Sequence, residues 1–82
     1  GHGITSSGAK VQPGVTVAAD TSVLPYGTVV YIEGIGIRVV QDTGSAVVGN
    51  ELDVAVKTHS EALSWSGWGS RRVWIISGGV EP

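Results

Sequence analysis

The chain has 82 residues, a formal net charge of −2, 15% charged residues and no cysteine. That length predicts a single domain spanning residues 1–82, near the lower size at which one core stands alone. A disulfide framework and a cysteine metal site are excluded, no basic stripe marks a nucleic-acid partner, and no apolar run approaches the roughly 18 residues of a membrane-inserting helix. No secretory signal is read in the chain, so export would need one from outside it.

Thirteen glycines fall between short runs rich in valine and isoleucine. This pattern predicts short strands joined by tight turns. Residues 1–12 read as loop or tail. Val15-Thr16-Val17-Ala18-Ala19 is the first expected strand. The turn Leu24-Pro25-Tyr26-Gly27 launches the second, Thr28-Val29-Val30-Tyr31-Ile32. Gly34 and Gly36 bracket another turn, and Ile37-Arg38-Val39-Val40-Gln41 follows as the third strand. Leu52-Asp53-Val54-Ala55-Val56 is the fourth. Ser60 can cap one short helix over Ser60–Trp65. Arg72-Val73-Trp74-Ile75-Ile76 is the fifth strand, with Trp74 expected in the core, and residues 77–82 read as tail. β-Branched residues dominate all five strands.

A repeat runs through the first half. A shift of 22 residues lays GVTVAADTSVLPYG (14–27) on GIRVVQDTGSAVVG (36–49), with identities at Gly14/Gly36, Val17/Val39, Asp20/Asp42, Thr21/Thr43 and Gly27/Gly49. Each copy reads strand, Asp-Thr, a five-residue span, Gly, then another strand. Two copies suit a small closed barrel with a pseudo-twofold axis, because closure protects the edges of an all-β chain.

The aspartates are the candidates for chemistry. Asp20 and Asp42 stand where strands end, a place where Asp commonly bonds backbone amides and shapes the turn. Asp53 lies inside a strand, with Leu52, Val54 and Val56 alternating to the other face. A carboxylate there faces either solvent or a polar cleft. Its counterpart in the first copy is Tyr31, so the halves differ at this position.

In order and spacing, several stretches resemble one family. Thr5-Ser6-Ser7-Gly8 is similar to its loop before the first Asp strand, Val17–Asp20 to "VAVD", Leu24–Thr28 to "IPLGT", and Gly34-Ile35-Gly36 to "GYG". Gln41-Asp42-Thr43-Gly44 is similar to "xDTG", Gly49–Asp53 to "GNxID", and the segment from Glu61 to Val73 to its closing "EAL…G.RxV". Together they resemble the 3D domain, named for three aspartates. It is a double-psi β-barrel of bacterial cell-wall proteins, related to the MltA-type lytic transglycosylases.

The resemblance implies an all-β double-psi barrel with one short helix. The first strand usual in the family is not found ahead of the Thr5–Gly8 loop, which predicts an open edge and hence a homodimer or a fragment. It implies an extracellular or cell-wall location, peptidoglycan glycan strands as partner and no cofactor or metal. Asp20, Asp42 and Asp53 become the three signature aspartates, with Asp53 as general acid/base and Asp42 and Asp20 shaping the groove. The implied reaction is nonhydrolytic cleavage of the MurNAc–GlcNAc bond. The alternatives are a noncatalytic glycan-binding or accessory module, or a truncated barrel lacking activity. A single catalytic carboxyl must begin protonated, and burial beside Leu52 and Val54 with Asp42 nearby would favour that form.

Thr43 and Gly44, in the same motif as Asp42, are candidates for the substrate groove. Trp68 can stack on a sugar ring, and Arg71 and Arg72 can meet an acidic group of peptidoglycan, though the favoured reading of both arginines is solvent-facing strand ends. Trp65 reads as packing. His59 has no second ligand at metal-binding spacing. The chain also departs from the family at Ala46-Val47-Val48-Gly49, where a lysine is common, and at Ser45, where a second glycine is usual.

Overall fold

The computed structural model describes residues 4–55 and 69–79. The domain is all-β. Its strands are β1 (Thr16–Ala19), β2 (Val29–Ile32), β3 (Gly36–Asp42), β4 (Leu52–Val54) and β5 (Val73–Ser77). All five match the expected strands with small changes at their ends. The helix expected over residues 60–65, with His59, Trp65 and Trp68, lies outside the described residues.

The strands form one mixed sheet in the order β4-β1-β3-β2-β5. β1 and β3 pair in parallel, and the other three pairings are antiparallel. The sequence repeat is legible in this order. β1 and β3 are the equivalent strands of the two copies, and β2 and β4 are the strands that follow them. Each following strand pairs with the leading strand of the other copy, so exchanging the copies leaves β4-β1-β3-β2 unchanged. Among the described residues, no ladder joins β4 to β5.

The core sits where β1 and β3 meet. Val17 and Val40 face each other across the parallel ladder and are fully buried, as is Val30 on β2. Each contributes about 2 kcal/mol of hydrophobic stabilisation. Ala19 completes the central cluster, and Leu24, Tyr26, Leu52 and Val54 pack against it. β1 is an inner strand and hides residues on both faces. Its buried Thr16 hydroxyl accepts from the Gln12 N–H at 2.9 Å and donates to Gln41 Oε1 at 2.5 Å, as a buried polar group must.

One expectation is narrowed and one needs correction. Of the loop-or-tail reading for residues 1–12, residues 4–10 are the loop and not the tail. Ile4 and Lys10 form an antiparallel bridge, Thr5 is buried, and the Gly8 N–H closes a turn onto the Thr5 carbonyl at 3.0 Å. Gly8 has φ +89°, a conformation that favours glycine. Trp74 is not core either: it is half exposed. Among the described residues β5 is the last strand of the sheet, and Trp74 pairs in register with exposed Tyr31, their ring centroids 5.7 Å apart.

Candidate functional site

Three neighbouring strands bring two of the aspartates together. Ala18 on β1 is in register with Asp53 on β4 and with Asp42 on β3. The carboxylates therefore flank a single small side chain. Thr16, Ala18, Asp42, Asp53, Val54 and Ala55 line an open pocket of about 100 Å³, with Val11 at its side.

A local irregularity aims Asp42 at this pocket. Val17 pairs with Val40, but the next residue of β1, Ala18, pairs with Asp42. Regular alternation would send Asp42 to the face of Val40, two residues before it. The extra residue, Gln41, breaks the alternation in the manner of a β-bulge. Its side-chain oxygen is then placed to accept the hydrogen bond of the Thr16 hydroxyl.

Asp42 is held by a set of donors. The Ser6 N–H and the Ser6 hydroxyl donate to its Oδ1 at 2.9 and 2.8 Å, and the Thr43 N–H donates to the same oxygen at 2.9 Å. The Tyr26 hydroxyl lies 2.7 Å from Ser6 Oγ. Beside this, the Ser7 hydroxyl donates to the Gln41 carbonyl at 2.6 Å. The tip of the 4–10 loop is thus fastened to the end of β3. Partial burial pushes the Asp42 carboxyl upward, but the Ser6 and Thr43 donors outweigh it and hold the group below its ordinary value of 3.8. Hydrogen bonds to the charged form favour that form.

Asp53 is different. It is exposed on β4, so the burial expected beside Leu52 and Val54 is not found; those two side chains turn to the core. Its carboxylate receives no hydrogen bond or ion pair among the described residues. Asp42 is thus a fixed acceptor and Asp53 an unengaged carboxyl on the same pocket.

Asp20 does not line this pocket. Its Oδ1 accepts from the Ser22 N–H at 3.0 Å and the Ser22 hydroxyl at 2.6 Å, and its Oδ2 accepts from the Gly49 N–H at 2.8 Å. The Ser22 hydroxyl, followed by the Gly49 and Ser22 amides, holds the carboxyl below its ordinary value. Asp20 therefore ties its own turn to the span before β4. The equivalent glycine of the first copy, Gly27, donates instead to the Val40 carbonyl at 2.8 Å. That leaves Asp42 to the Ser6 loop.

The remaining candidates are spread out. Thr43 is exposed and continues from Asp42 beside the pocket, and Gly44 accepts from the Val47 N–H at 3.0 Å in the following turn. Arg71 lies by the β2–β3 turn, its Nη1 within 3.4 Å of the Glu33 carbonyl. That is the opposite end of β3 from Asp42, about 20 Å away along an extended strand. Arg72 pairs with Glu33 at 3.7 Å, exposed on both sides. Ser6, Tyr26, Gln41 and Ala18 were not singled out from the sequence. All four fall in stretches similar to family motifs, but nothing in those motifs marked them as neighbours of Asp42.

The sequence profile of the 3D domain matches residues 15–77. The chain belongs to the 3D domain family. All three aspartates of this 3D domain fall inside the matched range. It is also 38% identical over 66 residues to the "Cell wall-binding protein YocH" of Bacillus subtilis (strain 168), covering 77% of this chain and 23% of that protein. It is 41% identical over 66 residues to the "Putative cell wall shaping protein YabE" of the same organism, covering 79% of this chain and 16% of that protein. The 3D domain thus spans about a quarter or less of the curated relatives it matches.

Proposed function

We propose that this 3D domain acts on the bacterial cell wall, at the glycan strands of peptidoglycan, from an extracellular or wall-associated position. The observation that carries the reading is the placing of Asp42 and Asp53 on either side of Ala18 in one pocket. The names of both relatives support a cell-wall setting.

In this reading Asp53 is the general acid/base for cleavage of the MurNAc–GlcNAc bond. It donates a proton to the leaving GlcNAc oxygen as the C1–O bond breaks. The MurNAc 6-hydroxyl then bonds to C1, and the Asp53 carboxylate takes the hydroxyl proton. The products are a GlcNAc hydroxyl end and a 1,6-anhydro sugar, and no water is consumed. Asp42, held ionised by Ser6 and Thr43, supplies negative charge beside the positive charge that develops at C1. A bound sugar would cover exposed Asp53 and give it the dry surroundings it lacks in the free chain. Thr43 and Gly44 offer backbone groups at the rim of the groove, and Asp20 keeps the opposite turn in shape.

A second reading, glycan binding without cleavage, is favoured by the openness of the pocket and the exposure of Asp53. Mass spectrometry of fragments released from purified peptidoglycan separates the two. Anhydro-muropeptides from the wild type, absent with Asp53→Asn, are expected. Ala18→Leu, which fills the space between the carboxylates, is expected to abolish release as well. Sedimentation of the protein with peptidoglycan, without released fragments, would establish the binding reading instead.

A further inference from the structure

The Asp42 carboxylate is served by a hydroxyl that is itself served by another. Ser6 Oγ has one proton, and it points to Asp42 Oδ1 at 2.8 Å. Ser6 Oγ must therefore accept in its other contacts, one from the Thr43 N–H at 3.1 Å and one from the Tyr26 hydroxyl at 2.7 Å. The direction of the chain follows from counting protons: Tyr26 to Ser6, Ser6 to Asp42. Hydrogen bonds in such a chain polarise one another, and those ending on an ionised group are the strongest.

The two hydroxyls come from separate parts of the fold. Ser6 is at the tip of the 4–10 loop, whose turn is closed by Thr5 and Gly8. Tyr26 is in the turn before β2, with its ring packed on the Val17, Ala19 and Val40 cluster. That turn is itself pinned to the end of β3 by the bond from the Gly27 N–H to the Val40 carbonyl. Tyr26 stands where the family stretch "IPLGT" has leucine, so the hydroxyl is an addition to a position whose apolar body already packs.

We propose that Tyr26 and Ser6 form a positioning relay that fixes Asp42 as an oriented anion in the pocket, with Oδ1 engaged by three donors and Oδ2 left for the ligand. Neither residue touches the reacting atoms; both act through Asp42. The relay deepens the cell-wall reading above, and its importance for catalysis or binding rests on that reading. The titratable groups facing Asp42 among the described residues are Asp53 from β4 and Tyr26 from the turn; β1 contributes only Thr16 and Ala18.

The test is a carbon-13 NMR titration of the aspartate carboxyls in the full chain. Tyr26→Phe keeps the packed ring, and Ser6→Ala changes an exposed side chain, so both variants are expected to fold. The Asp42 midpoint should rise in Tyr26→Phe and rise further in Ser6→Ala, while Asp20, which has its own donors, stays put. Ser6→Thr, which keeps the hydroxyl, should restore the wild-type midpoint. An Asp42 midpoint in Tyr26→Phe that coincides with wild type overturns the relay. On peptidoglycan, release or binding should fall roughly threefold to tenfold in Tyr26→Phe, the range for one hydrogen bond. If the midpoints move as described but the wild type neither cleaves nor binds peptidoglycan, the relay stands and the cell-wall reading fails.

Discussion

Asp20 and Asp42 are equivalent in the repeat, yet each is tied to different partners. Asp20 is bonded within its own turn and to Gly49; Asp42 is bonded to the Ser6 loop. Both carboxyls are held below the ordinary value of 3.8. In the unfolded chain each binds a proton more readily, so stability rises with pH between the folded and the ordinary values. The contribution is fully present above the ordinary value and is lost as pH falls through the folded one. Thermal melts should therefore hold steady from pH 7 to about 5 and drop below about 4. Asp42→Asn and Asp20→Asn should each flatten that acid limb. Asp53→Asn, at an exposed site without partners in the described residues, should melt within about 0.5 kcal/mol of wild type. Loss of activity in that variant would then report on chemistry and not on folding. The sequence marks all three aspartates, but it cannot tell the turn-former from the pocket residues. That distinction depends on which distant amides come near each carboxylate: Gly49, 29 residues from Asp20, and Ser6, 36 residues from Asp42.

At the scale of elements, the five strands were legible because β-branched runs bounded by glycine and proline have few alternatives. The break of register in β3 was not. Its sequence carries no mark of a bulge, and only pairing with β1 shows that Asp42 has changed faces. The loop at 4–10 was legible as a loop, but its partners were not: nothing in its short polar residues shows that their hydroxyls reach the end of β3. The end of β5 is equally specific. A Cβ built at Gly79 would collide with the carbonyl oxygens of Pro25 and Tyr26 and sit 2.7 Å from Thr28 Oγ1. Those are backbone atoms of a turn and a hydroxyl bonded at 2.7 Å to the Pro25 carbonyl, with little room to give. Gly79→Ala should cost about 1–3 kcal/mol by overpacking, read as a lower midpoint in urea with the slope unchanged. A midpoint equal to wild type would mean that the tail of β5 does not dock against this turn.

For the whole molecule, the swapped pairing of the two copies concentrates burial at β1 and β3 and leaves the ends of the sheet lean. Every residue of β5 is exposed, including Trp74, Ile75 and Ile76. Ile75 is in register with fully buried Val30, yet 62% of it is open to solvent. The strand carries no lysine or proline of its own, the residues that usually blunt an edge. We propose that this edge, unpaired among the described residues, pairs with a second copy, as the homodimer expected from the sequence would require. Ile75→Lys should suppress it in light scattering while the melting temperature stays within a few degrees of wild type. Unchanged association in that variant would place the contact elsewhere.

The sequence by itself determined the all-β class, the positions of the strands, the two-copy plan and the three aspartates. These are local properties: side-chain branching, glycine placement and the spacing of a motif survive without knowledge of what packs where. Tertiary structure alone decided that Asp42 and Asp53 share a pocket across Ala18, that Asp20 serves a turn, that Arg71 stands at the far end of β3, and that Ser6 and Tyr26 reach Asp42. Each of these depends on strand register and on contacts between distant segments. A shift of one residue in register moves a side chain to the other face of a sheet.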